Sequence, residues 1–191
     1  MDNIYIFDHF LDTSELEHIK QFIKSSVWKY GHSNGLRETL DTKYFSNYYT
    51  DNFISDYVRS KIERIIPKKL KITRNYLQIQ EFGENGGYHI DTDISNKNTY
   101  TFTIYITDLE DEYIEEANGD FLLKLPNEKH IVSIDTYCNR GILFPSNYVH
   151  KGMAYTRKFT NKRVCVAWKF EEIIEKIIEE IEDKNINNLT V

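Results

Sequence analysis

The sequence predicts a mainly β chain, a double-sheet antiparallel barrel flanked by helices, and three observations carry that expectation. Beyond about residue 74 there are many short stretches of alternating apolar and polar side chains, closely spaced and without strand–helix alternation. Two stretches with helical periodicity come before them. Tyrosine and phenylalanine are abundant, at 14 and 11 residues, which suits pleated, half-buried surfaces. At 191 residues the chain is long enough for one domain with a continuous core. Helical support is expected over 1–73, the barrel core over 74–170 and a terminal helix over 171–186.

Asn3 to Phe10 alternates as a short strand. Asp12-Thr13-Ser14-Glu15 then reads as a capping box, with Asp12 as N-cap and Glu15 reaching back. Leu16, Ile19, Phe22 and Ile23 follow at helical spacing to about Ser25. Residues 28–50 lack a clean period and are rich in aromatic and polar groups, as a binding loop or irregular hairpin would be. A second helix is expected from about Asn52 to Ile66, with Phe53, Ile54, Tyr57, Val58, Ile62, Ile65 and Ile66 inward and Pro67 ending it.

From Arg74 the period changes to two. Leu77 and Ile79 fall on one face, and Tyr76, Gln78, Gln80 and Phe82 on the other, which would look towards a cavity. Gly83 to Gly87 is a turn. Thr99 to Thr107 places Thr101, Thr103 and Tyr105 opposite Tyr100, Phe102, Ile104 and Ile106. Shorter strands follow at Asp120 to Leu125, His130 to Asp135, Gly141 to Phe144 and Lys162 to Lys169. In the tail, Ile173, Ile174, Ile177, Ile178 and Ile181 form an apolar stripe opposite glutamates. A helix there would pack across the sheet or against a second copy, which leaves a homodimer open.

Composition narrows the partners. Hydrophobic content of 40% and charged content of 28% are those of an ordinary globular chain. The net charge of −6 repels nucleic acid and anionic membrane. The cluster Lys68, Lys69, Lys71 and Arg74 softens that objection, and it reads as a solvated loop after Pro67. Cys138 and Cys165 make no disulfide framework and no C-x-x-C motif, so a reducing compartment is expected. The amino-terminal residues lack a signal-peptide pattern and no apolar run is long enough to span a bilayer, which points to the cytoplasm.

The chemistry gathers at Tyr88-His89-Ile90-Asp91 and at Phe144-Pro145-Ser146-Asn147-Tyr148-Val149-His150. His89 and Asp91 are two apart, so on a strand or its ragged end both leave one face. With His150 they make two imidazoles and a carboxylate, a set that holds one face of a metal's coordination sphere and leaves the opposite face open. His9, His18 and His130 read as exposed or capping. His32, beside Trp28 and Tyr30 in the aromatic loop, is a candidate for substrate contact together with Trp28 and Tyr76. Residues 110–116 form a charge-rich loop that reads first as a solvated connection and, as the alternative, as a lid over the site.

Residues 77–91, from Leu77-Gln78-Ile79-Gln80 through the glycine turn to His89-Ile90-Asp91, resemble the metal-binding segment of the prolyl 4-hydroxylase-like Fe(II)/2-oxoglutarate dioxygenases. Thr101 to Leu109 is similar to the next strand of that family, Asn118-Gly119 stands where the family has a Gly-Gly pair, and Gly141 to His150 approximates its second histidine segment. Arg163 to Phe170 resembles its closing strand. The likeness covers roughly residues 74–170, in the family's order. It implies a double-stranded β-helix of the jelly-roll or cupin-like kind. His89, Asp91 and His150 would hold Fe(II), with 2-oxoglutarate and O2 as cosubstrates and ascorbate as an auxiliary reductant.

By the same resemblance Arg163 would clamp the far carboxylate of 2-oxoglutarate, since a guanidinium offers that group two parallel donors. Tyr105, Thr101 and Gln78 would complete the cosubstrate site. Lys162 is the rival of Arg163, because one step along a strand turns a side chain to the other face. Phe82 stands where the family commonly has tyrosine. Asp91 keeps the carboxylate that related halogenases lack, which favours hydroxylation. The expected substrate is a prolyl or other protein side chain. The alternatives are a nucleobase or small molecule, a non-catalytic cupin-like metal- or ligand-binding protein, and an inactive homologue.

Overall fold

Two antiparallel sheets face one another across the interior, and helices cover the outer side of the larger one. The computed structural model describes residues 4–33, 43–126 and 129–174. In chain order the elements are β1 (Tyr5–Phe7), α1 (Thr13–Ser25), β2 (Lys29–His32), β3 (Tyr44–Tyr48), α2 (Asn52–Ile65), β4 (Leu70–Gln80) and β5 (Thr99–Tyr105). They continue with α3 (Ile114–Ala117), β6 (Phe121–Lys124), β7 (Ile131–Ile134), β8 (Gly141–Pro145), β9 (His150–Gly152) and β10 (Arg163–Glu172). The larger sheet runs β1-β8-β5-β10-β4-β3-β2, and the smaller one β7-β6-β9. Every described pairing is antiparallel. No helix among the described residues is long and apolar enough to cross a membrane.

The alternation of β5 decides where the core sits. Tyr100, Phe102, Ile104 and Ile106 join Leu77, Val166, Trp168 and Phe170 in one buried cluster, closed by Ile19 of α1 and by Ile54, Val58 and Ile62 of α2. At about 25 cal/mol per Å2 of apolar area buried, this cluster is the main stabilising layer, and it holds the large sheet flat against the helices. The opposite face of the same strands carries Thr101, Thr103 and Tyr105 on β5 and Gln78 and Gln80 on β4, which look into the space between the sheets. A second buried cluster, with Phe121, Leu123, Ile134, Ile142 and Phe144, ties the small sheet to β8.

Several expectations are corrected. The capping box does not form: Asp12 makes no side-chain cap, its carboxylate accepts from Tyr57 Oη at 3.2 Å, and Glu15 takes the Ser14 hydroxyl at 3.0 Å. Asp51 is the working cap, accepting from Ile54 N at 3.0 Å. Phe53 is exposed at the start of α2 and not inward. Lys71 and Arg74 are not in a loop, because β4 begins at Leu70 and pairs with β10 to its end. Phe82 lies past the end of β4 and is exposed. The irregular hairpin of residues 28–50 takes form as β2 against β3, with a register shift between Tyr30 and His32. Residues 34–42 within it are outside the described residues.

Within the charge-rich 110–116 connection a turn of 3-10 helix leads into α3, which buries Ile114 and Ala117. At the carboxyl end, helical spacing of isoleucines suggested a helix from residue 171, but the β10 ladder continues through Glu172. Phe170 pairs with both Tyr100 and Ile72, and Glu171 with both Thr99 and Lys71. Two-sided pairing satisfies the backbone where a helix start would not. The rest of the expected terminal helix lies outside the described residues.

Candidate active site

His89 and His150 are brought together by backbone pairing. An isolated antiparallel bridge joins them, each amide donating to the other's carbonyl, at 3.0 Å from His89 N and 2.9 Å from His150 N. Asp91 N donates to Ser146 O at 2.8 Å, which ties the H-x-D segment to the turn after β8. The side chains converge in consequence. His89 Nε2 lies 3.6 Å from Asp91 Oδ1 and His150 Nε2 lies 3.3 Å from Asp91 Oδ2. One ligand atom from each residue falls within 4.8 Å of the others.

Second contacts aim the donors. His89 Nδ1 donates to Gly87 O and His150 Nδ1 to Tyr148 O, both at 2.9 Å, which leaves each Nε2 lone pair facing the gap. Burial pushes His150 down to about 3, against the upward pull of Asp91, so its imidazole is neutral. Burial alone would raise Asp91, but the Lys169 ammonium and the imidazoles overcome it and hold its carboxyl well below the usual range. Two imidazoles and one carboxylate, all aimed at one point, fit a divalent metal of the Fe(II) type.

One cavity is lined by His89 and His150 and reaches Arg163. Its walls include Tyr76, Gln78, Gln80, Thr101, Tyr105 and Arg163. The one-residue ambiguity at β10 is settled by packing. Trp168 and Val166 sit in the helix-side core, so the odd-numbered Arg163, Cys165, Ala167 and Lys169 face inward. Lys162 points outward and pairs with Glu81 at 2.7 Å.

Arg163 is 3% exposed. Its Nε donates to Gly119 O at 2.7 Å, its Nη1 to Gln80 Oε1 at 2.6 Å, and its guanidinium lies 4.8 Å from the Tyr105 ring centre. Among the described residues no carboxylate pairs with it.

The remaining expected site residues fall in three places. Gln78 lines the cavity, donating to Tyr44 Oη at 3.1 Å and accepting from Cys165 Sγ at 3.5 Å. Thr101 lines the same cavity on the same face of β5 as Tyr105, and it donates to Asp91 Oδ2 at 2.7 Å. Tyr76 lines the cavity and also an adjoining groove that contains His32. Trp28 is placed elsewhere: it packs against the helix-side core.

Three residues were not singled out from the sequence. Lys169 is 7% exposed, with its ammonium on Asp91 Oδ2 and 3.3 Å from Thr101 Oγ1. Ser146 shares a hydroxyl contact with Thr101 at 2.9 Å. At Gly152 a Cβ would stand 2.8 Å from Arg163 Nη1, so any side chain there would displace the guanidinium. The alternation 163, 165, 167, 169 was a signal that reached Lys169; the other two depend on contacts that no local pattern encodes.

No protein-family model matches the sequence, and no curated protein matches it. Solved structures do. An oxidoreductase of the 2OG-Fe(II) oxygenase family from Burkholderia pseudomallei superposes with a TM-score of 0.70 at 11% identity, over 88% of this chain and 84% of that one. A prolyl hydroxylase from Trichoplax adhaerens, in complex with a hypoxia inducible factor oxygen degradation domain peptide fragment, superposes with a TM-score of 0.64 at 19% identity, over 88% and 83%. The viral collagen prolyl hydroxylase of Paramecium Bursaria Chlorella virus-1, in complex with 2OG, gives 0.60 at 14%, over 88% and 96%. The chain has the fold of the 2-oxoglutarate oxygenases. In that fold His89, His150 and the buried Arg163 guanidinium line one cavity between the sheets, with Asp91 against the two histidines.

Proposed function

We propose that this chain is an Fe(II)- and 2-oxoglutarate-dependent oxygenase that hydroxylates a C–H bond on a protein side chain, with proline the first candidate. The observation that carries the reading is the pairing of two features in one cavity. At one end His89 and His150 line it, with Asp91 beside them. At the other is a guanidinium buried without a carboxylate among the described residues. A buried, uncompensated cation is costly unless a ligand supplies the anion. The far carboxylate of a keto diacid is such an anion, with its keto and near carboxylate oxygens left to meet the metal. A metal-binding protein without turnover leaves Arg163 unexplained.

His89, Asp91 and His150 would hold Fe(II), which with 2-oxoglutarate and O2 supplies the oxidising power, releasing succinate and CO2 as one oxygen atom enters the substrate. The chain's own residues do the rest. Arg163 orients the diacid, kept straight by the Gly119 carbonyl and by Gln80, while Tyr105, whose phenol burial holds protonated, backs the guanidinium. Thr101 and Lys169 hold one oxygen of Asp91 and so fix the carboxylate's plane. Phe121 and Phe144, ring to ring with His150, exclude water from one side. The peptide-bound Trichoplax neighbour supports a protein substrate.

The test is anaerobic addition of Fe(II) and 2-oxoglutarate, which should give a weak visible charge-transfer band, followed by aerobic release of succinate. Absence of both in folded, metal-loaded protein would reject the reading. Screening peptide, nucleoside and metabolite pools for a gain of one oxygen would then name the substrate.

A further inference from the structure

The wall of the cavity continues, strand by strand, into a groove on the same face of the large sheet. Register sets this. Arg74 pairs with Lys169 and Lys169 with Thr101; Tyr48 pairs with Tyr76 and Tyr76 with Ala167; Lys29 pairs with Ser46 and Ser46 with Gln78. Residues directly opposite one another in an antiparallel sheet share a face. Each row therefore begins among the cavity residues and ends in the groove, and Tyr76 lines both.

The charge of the groove is unlike that of the chain. Overall the net charge is −6, and many surface cations are neutralised: Lys20 by Glu17, Arg59 by Asp56, Lys68 by Glu172, Arg140 by Asp8, Lys162 by Glu81. The groove is lined by Lys29 and Arg74 and by no acidic residue among those described, and neither cation has a carboxylate partner among the described residues. The Arg74 guanidinium lies 4.8 Å from the ring centre of Tyr76, the residue that lines both cavity and groove, so an aromatic face and not an anion holds it there. Tyr48, 71% exposed, offers a further apolar surface beside it.

We propose that this groove is a subsite for a substrate carboxylate, and that the oxidised residue belongs to a protein segment with Asp or Glu close to it in sequence. The proposal rests on the oxygenase reading for what happens to that residue, and on the groove's own residues for recognition. Two cations match one or two carboxylates. A nucleic acid would bring a long series of phosphates against an acidic chain, which two cations do not offset. β2 is also the last strand of the large sheet among the described residues, so its outer edge offers backbone N–H and C=O groups to an extended peptide.

The experiment is calorimetric titration of the Mn(II)- and 2-oxoglutarate-loaded protein with four probes. Three are peptides of equal length in which a central proline is flanked by Asp and Glu, by Asn and Gln, or by Lys. The fourth is a short oligothymidylate. The acidic peptide is expected to bind about tenfold more tightly than its amide counterpart, the scale of one charge-assisted contact. That preference should shrink as salt rises and should be lost in Lys29→Gln and Arg74→Gln. If the acidic peptide shows no advantage over the amide peptide, or if oligothymidylate outbinds it, the subsite is wrong. The salt series on the native protein decides the matter even where a variant fails to fold. The Fe(II)/2-oxoglutarate band, recorded on the same native protein, judges the oxygenase reading separately. A missing band with the acidic preference intact would remove the oxygenase and keep the subsite.

Discussion

Arg163 and Lys169 lie six residues apart on the same inward face of β10, and both are buried. Their surroundings are opposite. Lys169 rests on Asp91 and Thr101, so its charge is answered within the protein. Burial pushes its ammonium down from the ordinary value against the pull of Asp91. Arg163 is held by a carbonyl, an amide and an aromatic ring, and among the described residues nothing answers its charge. One cation is answered by a carboxylate among the described residues; the other, on the proposed reading, would meet the far carboxylate of the cosubstrate. Alike in sequence terms, they should respond differently to loss.

The largest effect is expected where the paired cation and the metal donors meet. Asp91→Ala removes one of three ligands and leaves Lys169 buried without its partner. Turnover should fall by on the order of 10^3-fold, read as succinate release, and metal-free protein should lose stability as well. Retained turnover in that variant would break the assignment of the metal end. Lys169→Met should lower the stability of metal-free protein by roughly 3–5 kcal/mol in urea unfolding, because an unpaired carboxylate is left inside. The same variant should bind Mn(II) more tightly, since the ammonium no longer competes for Asp91 Oδ2. A variant both stable and weaker in metal binding would mean that Lys169 is not tied to Asp91.

Arg163→Met sharpens the contrast. The uncompensated charge leaves with the side chain, so stability without cosubstrate should change less than in Lys169→Met. The 2-oxoglutarate requirement should rise by on the order of 100-fold, the scale of a buried charge pair lost from one side. If Lys162→Met raises it and Arg163→Met does not, the guanidinium is not the clamp.

Much of this was legible in the sequence, for reasons that can be located. The alternation of Thr101, Thr103 and Tyr105 against Phe102 and Ile104 told which face met the core, because period two is a property of the strand itself. The H-x-D spacing told that two donors leave one side. The choice between Lys162 and Arg163 stayed open because it depends on which face Trp168 buries, and that is decided by α2 and not by β10 alone. Lys169 escaped notice because a lysine at the end of a strand ordinarily reaches solvent. Its burial follows from Asp91, 78 residues away in sequence. The contacts of Thr101 with Asp91 and Ser146 were out of reach for the same reason, since those partners come from separate segments.

The smallest expected effect comes from protons at the metal end, and its sign follows from His150. The folded value is about 3 and the ordinary one 6.5, so between them the unfolded chain binds the extra proton. Stability of metal-free protein should therefore fall as pH drops from 6.5 towards 3, by at most about 1.4 kcal/mol per pH unit. Asp91, held well below 3.8, adds a loss of the same sign at the acid end. Bound metal steepens the dependence, because protons compete for the same Nε2 lone pair. Urea midpoints at pH 7, 6 and 5 for the native protein and for His150→Gln provide the measurement. The variant should show the flatter dependence over that range. Parallel slopes would mean that His150 is charged or solvated in the folded protein, and the neutral imidazole that the metal end requires would be lost with it, while the argument for Arg163 would stand untouched.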